Sequence, residues 1–143
     1  MSTRSRIAIK NDDGTVRSIY CHFDGYPEGV GEKLKKFYNT KEEINKLLDL
    51  GDLSTLGSKY DQEKAETYWK VTDSTKVSEW GDVMDTVKGY TIPYKDRQGE
   101  TDVKARIDKS ERAFCEKVGE CWEDWTYLFD NGKWIIVEED VEL

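Results

Sequence analysis

The chain has 143 residues, 30 acidic against 22 basic, with a net charge of −8 and a pI near 4.8. That length predicts one domain spanning 1–143, able to bury roughly 68–70% of its unfolded surface. The acidity excludes a generic nucleic-acid or anionic-membrane binder, which needs a basic face; five Trp and eight Tyr exclude a disordered acidic tail.

Residues 5–10 alternate, with Ile7 and Ile9 on one face. Asn11-Asp12-Asp13-Gly14 then predicts a hairpin, because Gly tolerates the positive φ of a tight turn. The return strand, Val16 to Phe23, puts Ile19, Cys21 and Phe23 on a core face and Val16, Ser18, Tyr20 and His22 on the other. Pro27 suits the first turn of a helix, and Val30, Leu34, Phe37 and Tyr38 fall on one helical face. Thr40 with Glu43 reads as a capping box, Ile44, Leu47 and Leu48 as the next buried stripe, and Gly51 as a stop.

Residues 52–57 read as a packed loop. Tyr68 to Val71 fits either a strand or the end of a helix begun near Asp61, and Val77, Trp80, Met84 and Val87 form a weak helical stripe interrupted by Gly81. Tyr90 to Tyr94 is β-like, with Pro93 confining it to a sheet edge or strand end. Lys95 to Glu100 is a charged turn. Ser110 caps a helix over 111–119 with Phe114 and Val118 inward. Asn131-Gly132 between Trp125–Phe129 and Trp134–Val137 is the clearest hairpin, followed by an acidic tail. The sum predicts an α+β fold, a mainly antiparallel sheet built from N- and C-terminal hairpins with helices packed on one face.

Cys21, Cys115 and Cys121 lack C-x-x-C spacing, so they read as buried free thiols of a reducing cytosol. The first ten residues carry no apolar signal-peptide core, and no run approaches the length of a membrane span. A cytoplasmic protein without metal or other cofactor is expected.

Four groups invite a chemical reading. His22, the sole histidine, with Asp24 or Glu100 could serve a small hydrolase as base and partner, yet no complete catalytic pattern accompanies it. Gly25, Gly29 and Gly31 before a helix could turn backbone N–H groups toward a phosphate or carboxylate, or simply form a tight turn. Arg97 beside Tyr94 could grip an anion while Tyr94 stacks a base; a surface Arg–Glu pair with Glu100 is the plainer alternative. Trp122, Trp125, Tyr127, Phe129 and Trp134 read as core and sheet-face packing, since their neighbours are acidic.

Several patches carry a resemblance. They are Met1-Ser-Thr-Arg-Ser5, Cys21-His-Phe-Asp-Gly-Tyr-Pro27 with Val30-Gly31, Gly51-Asp-Leu-Ser54 with Leu56, Tyr94-Lys-Asp-Arg-Gln-Gly-Glu100, and Tyr127-Leu-Phe-Asp130 with Gly132 and Trp134. Together and in this order they resemble a family of small, mostly uncharacterised proteins of tailed bacteriophages and prophages. The chain departs from it at Gly29, where members often carry His, and over 58–90, which matches none of its patches. The resemblance implies an accessory factor in the bacterial host cytoplasm that counters a defence system by non-catalytic binding. Its partner would be a host defence protein or that system's anionic nucleotide signal, held by a pocket of His22, Asp24, Gly25, Tyr26, Gly29, Gly31, Tyr94, Arg97 and Glu100. The alternatives are an acidic protein–protein inhibitor, a partial DNA mimic acting on a defence nuclease such as a CRISPR effector, and the hydrolase using His22. A virion assembly role and a homo-oligomer stay open.

Overall fold

The computed structural model describes residues 2–74 and 80–143; Met1 and Val77, used above, lie outside the described residues. In chain order, the first elements are β1 (Ser5–Lys10), β2 (Val16–Cys21), a wide helical turn (Pro27–Gly31), α1 (Glu32–Phe37) and α2 (Lys41–Leu48). Then come β3 (Leu53–Thr55), α3 (Gln62–Thr72), α4 (Trp80–Thr86), β4 (Ile92–Pro93) and a 3-10 turn (Tyr94–Asp96). The last are β5 (Arg106–Asp108), α5 (Glu111–Cys115), β6 (Trp125–Asp130), β7 (Lys133–Ile136) and β8 (Val141–Glu142).

Both expected hairpins form. Gly14 closes the first at φ 88°, and Asn131 and Gly132 close the second at 54° and 77°. The strands order as β4-β3-β2-β1-β6-β7-β8, with β5 alongside β2. The sheet is mostly antiparallel, as predicted for this α+β chain, but β1–β6 and β2–β3 run parallel. The two hairpins therefore meet in mid-sheet, Ser5 opposite Trp125, with the intervening chain as the crossover.

Alternation along the strands splits the core into two layers. Ile7, Ile9, Ile19, Cys21, Tyr127 and Phe129 pack against Val30, Leu34, Ile44, Leu47 and Leu48, which α1, α2 and the turn before them supply. Thr40 caps α2 as expected, its hydroxyl accepting from the Glu43 N–H at 3.1 Å. The opposite face carries a contact not expected with helices on one face only. Phe114 of α5 closes over Ala8, Val16 and Leu128. Only half of that face is covered, so Val16 and Ser18 are buried while Tyr20 and His22 are half-buried. A third cluster, Ala65, Trp69, Val83, Val87 and Ile92, knits α3 and α4 to β4.

Several expectations are corrected. Phe23 and Phe37 stand exposed: Phe23 follows the end of β2 at Cys21, and Phe37 is the last residue of α1. Of the α4 stripe, Val83 and Val87 point inward and Trp80 and Met84 outward. Residues 53–55, read as loop, pair with β2 and β4. Of the two alternatives open for Tyr68 to Val71 the helix holds: they lie at the end of α3, whose first turn Asp61 caps. The helix after Ser110 stops at Cys115, leaving Val118 half-buried. The acidic tail contributes β8, and β5 was not anticipated. Cys115 and Cys121 are exposed; only Cys21 is buried, and burial pushes its thiol up to about 12. Among the described residues no helix is long and apolar enough to cross a membrane.

One buried ion pair, and a buried carboxylate reached by half-exposed cations, fix the segment after α5 to the sheet. Arg6 Nε donates to Glu123 at 2.8 Å, with the two side chains 8% and 1% exposed. Asp108 accepts from Arg106 at 2.9 Å and Lys117 at 2.8 Å. Burial opposes the Asp108 carboxylate, but the two cations prevail and hold it below the usual range.

Candidate functional site

The glycine turn is a packing device. A Cβ on Gly25 would stand 2.7 Å from Thr3 O and 2.8 Å from Ser5 Cβ, and one on Gly29 would strike the Asp24 carbonyl. Gly31 lies buried beneath Leu143 and Tyr127. The Gly25 N–H donates to Thr3 O at 2.8 Å, Gly29 N–H to Tyr26 O at 2.9 Å and Val30 N–H to Asp24 O at 2.8 Å. These amides have no donor left for a ligand, so the anion cradle expected there is not formed by them. Tyr127 seals the turn, its hydroxyl donating to Gly25 O at 2.6 Å.

His22 does not pair with Asp24. Its Nδ1 lies 2.8 Å from the Tyr20 hydroxyl, while Asp24 accepts from Tyr26 at 3.4 Å. Glu100, the other candidate partner, faces Arg97. The acid–base pair of a hydrolase is therefore not assembled. Burial, and then the Arg4 charge, lower the His22 pKa, so its ring is neutral near pH 7. Burial also raises the Tyr20 phenol to about 12, against the pull of Arg4. With Tyr20 as donor to Nδ1, the His22 proton sits on Nε2. Because the folded pKa of His22 is depressed, its contribution to stability is complete above about 6.5 and falls as pH drops through the folded value. An NMR titration of this single imidazole is expected to show a midpoint below 6.5; a midpoint above it contradicts the assignment.

Arg97 and Tyr94 do come together, but through residues the sequence reading missed. Tyr94 stacks on Trp69 at 5.2 Å with 28° between the planes, and the Arg97 guanidinium covers the Trp69 ring at 5.0 Å. Asp73 takes Arg97 in a two-point contact at 2.9 and 3.1 Å, and Glu100 accepts at 3.4 Å. A guanidinium held by two carboxylates is not the free anion receptor expected. In the adjoining cleft of about 550 Å³, between α3 and Lys95–Gln98, Lys95 bonds Asp96 and the Tyr60 hydroxyl, and Glu66 and Lys70 line the α3 wall. Asp73 lies 24 positions from Arg97, so only the helical phase of α3 hinted at the pairing.

The half of the sheet left bare by α5 is different. Arg6 stands opposite Tyr20 in the β1–β2 register, and Arg4 continues the same face. Arg4 is half-buried, and its charge reaches both Tyr20 and His22. Among the described residues it is the one arginine without a carboxylate partner: Arg6, Arg17, Arg97, Arg106 and Arg112 all have one. Tyr94, bonded to Ser54, borders this face, and Phe23 packs edge-on against His22 at 4.6 Å. Arg4 was visible in sequence only as part of a resemblance patch, and its lack of a partner depends on where every acidic side chain lands.

The arrangement defines an α+β protein with a half-open sheet face on which Arg4, without an ion-pair partner among the described residues, lies beside Tyr20 and His22, while the Asp52 carboxylate accepts from the Tyr20 N–H at 2.9 Å. Comparison of the chain with protein-family models, curated proteins and solved structures finds no match.

Proposed function

We propose that this chain acts by binding rather than by catalysis, as a phage or prophage accessory protein that counters a bacterial defence system in the host cytoplasm. In this reading it sequesters an anionic nucleotide signal on the bare sheet face. The supporting observation is Arg4, half-buried with no carboxylate among the described residues to neutralise it. A phosphate would give that guanidinium the two-point, charge-assisted contact its planar fork favours. Neutral Tyr20 and His22 supply further hydrogen bonds without adding charge. The overall charge of −8 repels long polyanions, while one local cation still admits a small one.

The test is to incubate the protein with cyclic and ADP-ribose-type nucleotides, remove the excess, denature, and chromatograph what is released. The wild type is expected to return one of them chemically intact, and Arg4→Gln at least about tenfold less, the order of a lost charge-assisted contact. Equal release from Arg4→Gln overturns the site. Anti-defence activity with no nucleotide retained overturns sequestration and leaves an inhibitor that docks on a defence protein. A nucleotide returned cleaved overturns the non-catalytic reading.

A further inference from the structure

A groove of about 410 Å³ opens between the α1–α2 corner and the Ser58–Tyr60 segment, beside the helices that cover the Ile7 face of the sheet. Phe37, Tyr38, Leu47, Leu50 and Tyr60 make its lining largely apolar, and Phe37 is 38% exposed. Both walls are fixed. Tyr38 ties the end of α1, its carbonyl accepting from the Trp134 Nε1–H at 2.8 Å and its hydroxyl donating to Gly57 O at 2.6 Å. Across the groove, the Gly57 N–H donates to Thr91 Oγ1 at 2.9 Å, and that hydroxyl donates to Gly57 O at 3.1 Å. The Tyr60 hydroxyl donates to Asp96 at 2.6 Å and accepts from Lys95 at 2.8 Å. These hydroxyls are spent within the chain, so an occupant gains from the floor by apolar contact.

The charge of the groove is at odds with that of the molecule. In a chain of net −8, its lining carries Lys46 and Lys59 against Glu43 alone, and Glu43 accepts from the Thr40 hydroxyl in the α2 cap at 3.0 Å. Asp61, beside Tyr60, is occupied in capping α3. Lys36 lies over the Phe37 ring at 5.3 Å, and Lys59 and Lys64 lie over Tyr90 at 4.5 and 5.3 Å. None of these four lysines has a carboxylate partner among the described residues; those that do are Lys10, Lys41, Lys95 and Lys117. Leu50 also lines a second cleft of about 520 Å³, in which Ile107 is 67% exposed, so the apolar surface continues past the groove.

We propose that this groove is a docking site for an acidic segment of a partner protein, its apolar anchor set against Phe37 and Leu50 and its carboxylates over Lys46 and Lys59. The site is separate from Arg4 and independent of that reading. An apolar floor with a cationic rim is complementary to a segment that carries both apolar and acidic side chains, and it repels basic ones. Two clefts sharing Leu50 suit a length of chain better than a small molecule. A nucleic acid would bring a long run of phosphates against the net −8 of the molecule, whereas a short segment meets only the local lysines. Because hydrogen bonds hold both walls beforehand, little ordering is left to occur on binding.

The experiment selects peptides from a random displayed library on the immobilised full chain, then measures the recovered peptides against wild type, the double variant Lys46→Glu with Lys59→Glu, and Phe37→Ser. The recovered peptides are expected to be acidic and to carry aromatic or aliphatic side chains. The double charge reversal should weaken them at least about tenfold, mainly by slowing association and with loss of the salt dependence. Phe37→Ser should weaken them by a similar factor, mainly by speeding dissociation. All three side chains are exposed, so the variants should melt with wild type, which separates lost docking from lost folding. Recovery of basic or purely apolar peptides overturns the proposal. So does retention no better than on an unrelated acidic protein, or an affinity that neither variant moves. Sedimentation of the protein alone is expected to show a monomer; self-association abolished by Phe37→Ser assigns the groove to a second copy and overturns the partner segment.

Discussion

Glu123→Gln is expected to destabilise the fold by about 3–5 kcal/mol, as removal of one partner from a buried ion pair does. Arg6 is 8% exposed in its side chain and also donates to Ser18 at 3.1 Å, so it has no route to water when its carboxylate is lost. The remaining guanidinium would face an amide carrying its own N–H donors. Against a total stability of about 5–15 kcal/mol, that is a large fraction. Urea denaturation followed by far-UV circular dichroism measures it, and a loss under about 1 kcal/mol would show that the pair is solvated in solution. The double variant Arg6→Met with Glu123→Leu should recover most of the loss, because a buried pair exchanged for apolar groups of like volume is often neutral or better. Recovery would identify the pair as a device for placing the 120–123 loop rather than for stabilising the chain. In that double variant the loop that carries Trp122 loses its tie to Arg6 even though the sheet survives.

Phe114→Ala should cost a similar amount, about 3–5 kcal/mol, by a different route. Phe114 is fully buried and is the side chain that α5 inserts over Ala8, Val16 and Leu128, with the Arg106 guanidinium 5.7 Å from its ring. The cluster is small, and Ala8 has no flexible side chain to collapse into the hole. A helix of five residues has little stability of its own. Hydrogen exchange is therefore expected to accelerate first over 111–117, with β1 and β6 retaining more protection. Uniform acceleration would mean that α5 unfolds only with the whole sheet. Phe114→Leu, which keeps most of the volume, should cost roughly 1–2 kcal/mol.

What could be read from the sequence follows the range of the interaction concerned. Asn131-Gly132 and Asp13-Gly14 encode their turns in two residues, and both hairpins were legible. Thr40 and Ser110 cap helices through bonds three residues long, and these too were legible, whereas the cap at Asp61 lies where the sequence leaves strand and helix open. β5 and β8, three and two residues long, are too short for an alternation to register. The candidate site was half visible. The sequence points to His22 and Tyr94, which border one face, and to an anion contact at Arg97, which two carboxylates hold instead; it does not single out Arg4. Telling Arg4 from Arg6 requires knowing that Glu123, 117 positions away, folds onto the second and not the first. Trp122 belonged to a run of aromatics that read as core, and Trp125, Tyr127, Phe129 and Trp134 are indeed buried or half-buried. No local spacing announces that one member of such a run, Trp122, stands exposed on a left-handed backbone at φ 66°.

The pairing of β1 with β6 also sets a timetable for synthesis. Ser5 leaves the ribosome some 120 positions ahead of its partner Trp125. At cellular rates of about 5–20 residues per second, the hairpin of β1 and β2 spends on the order of ten seconds with one long, apolar edge unpaired. An edge of that kind is a template for joining another chain. Crowding of nascent copies, rather than instability of the finished fold, is then where production of this protein is most exposed, and slower initiation or a holdase that covers Ile7 and Ile9 should raise its soluble yield.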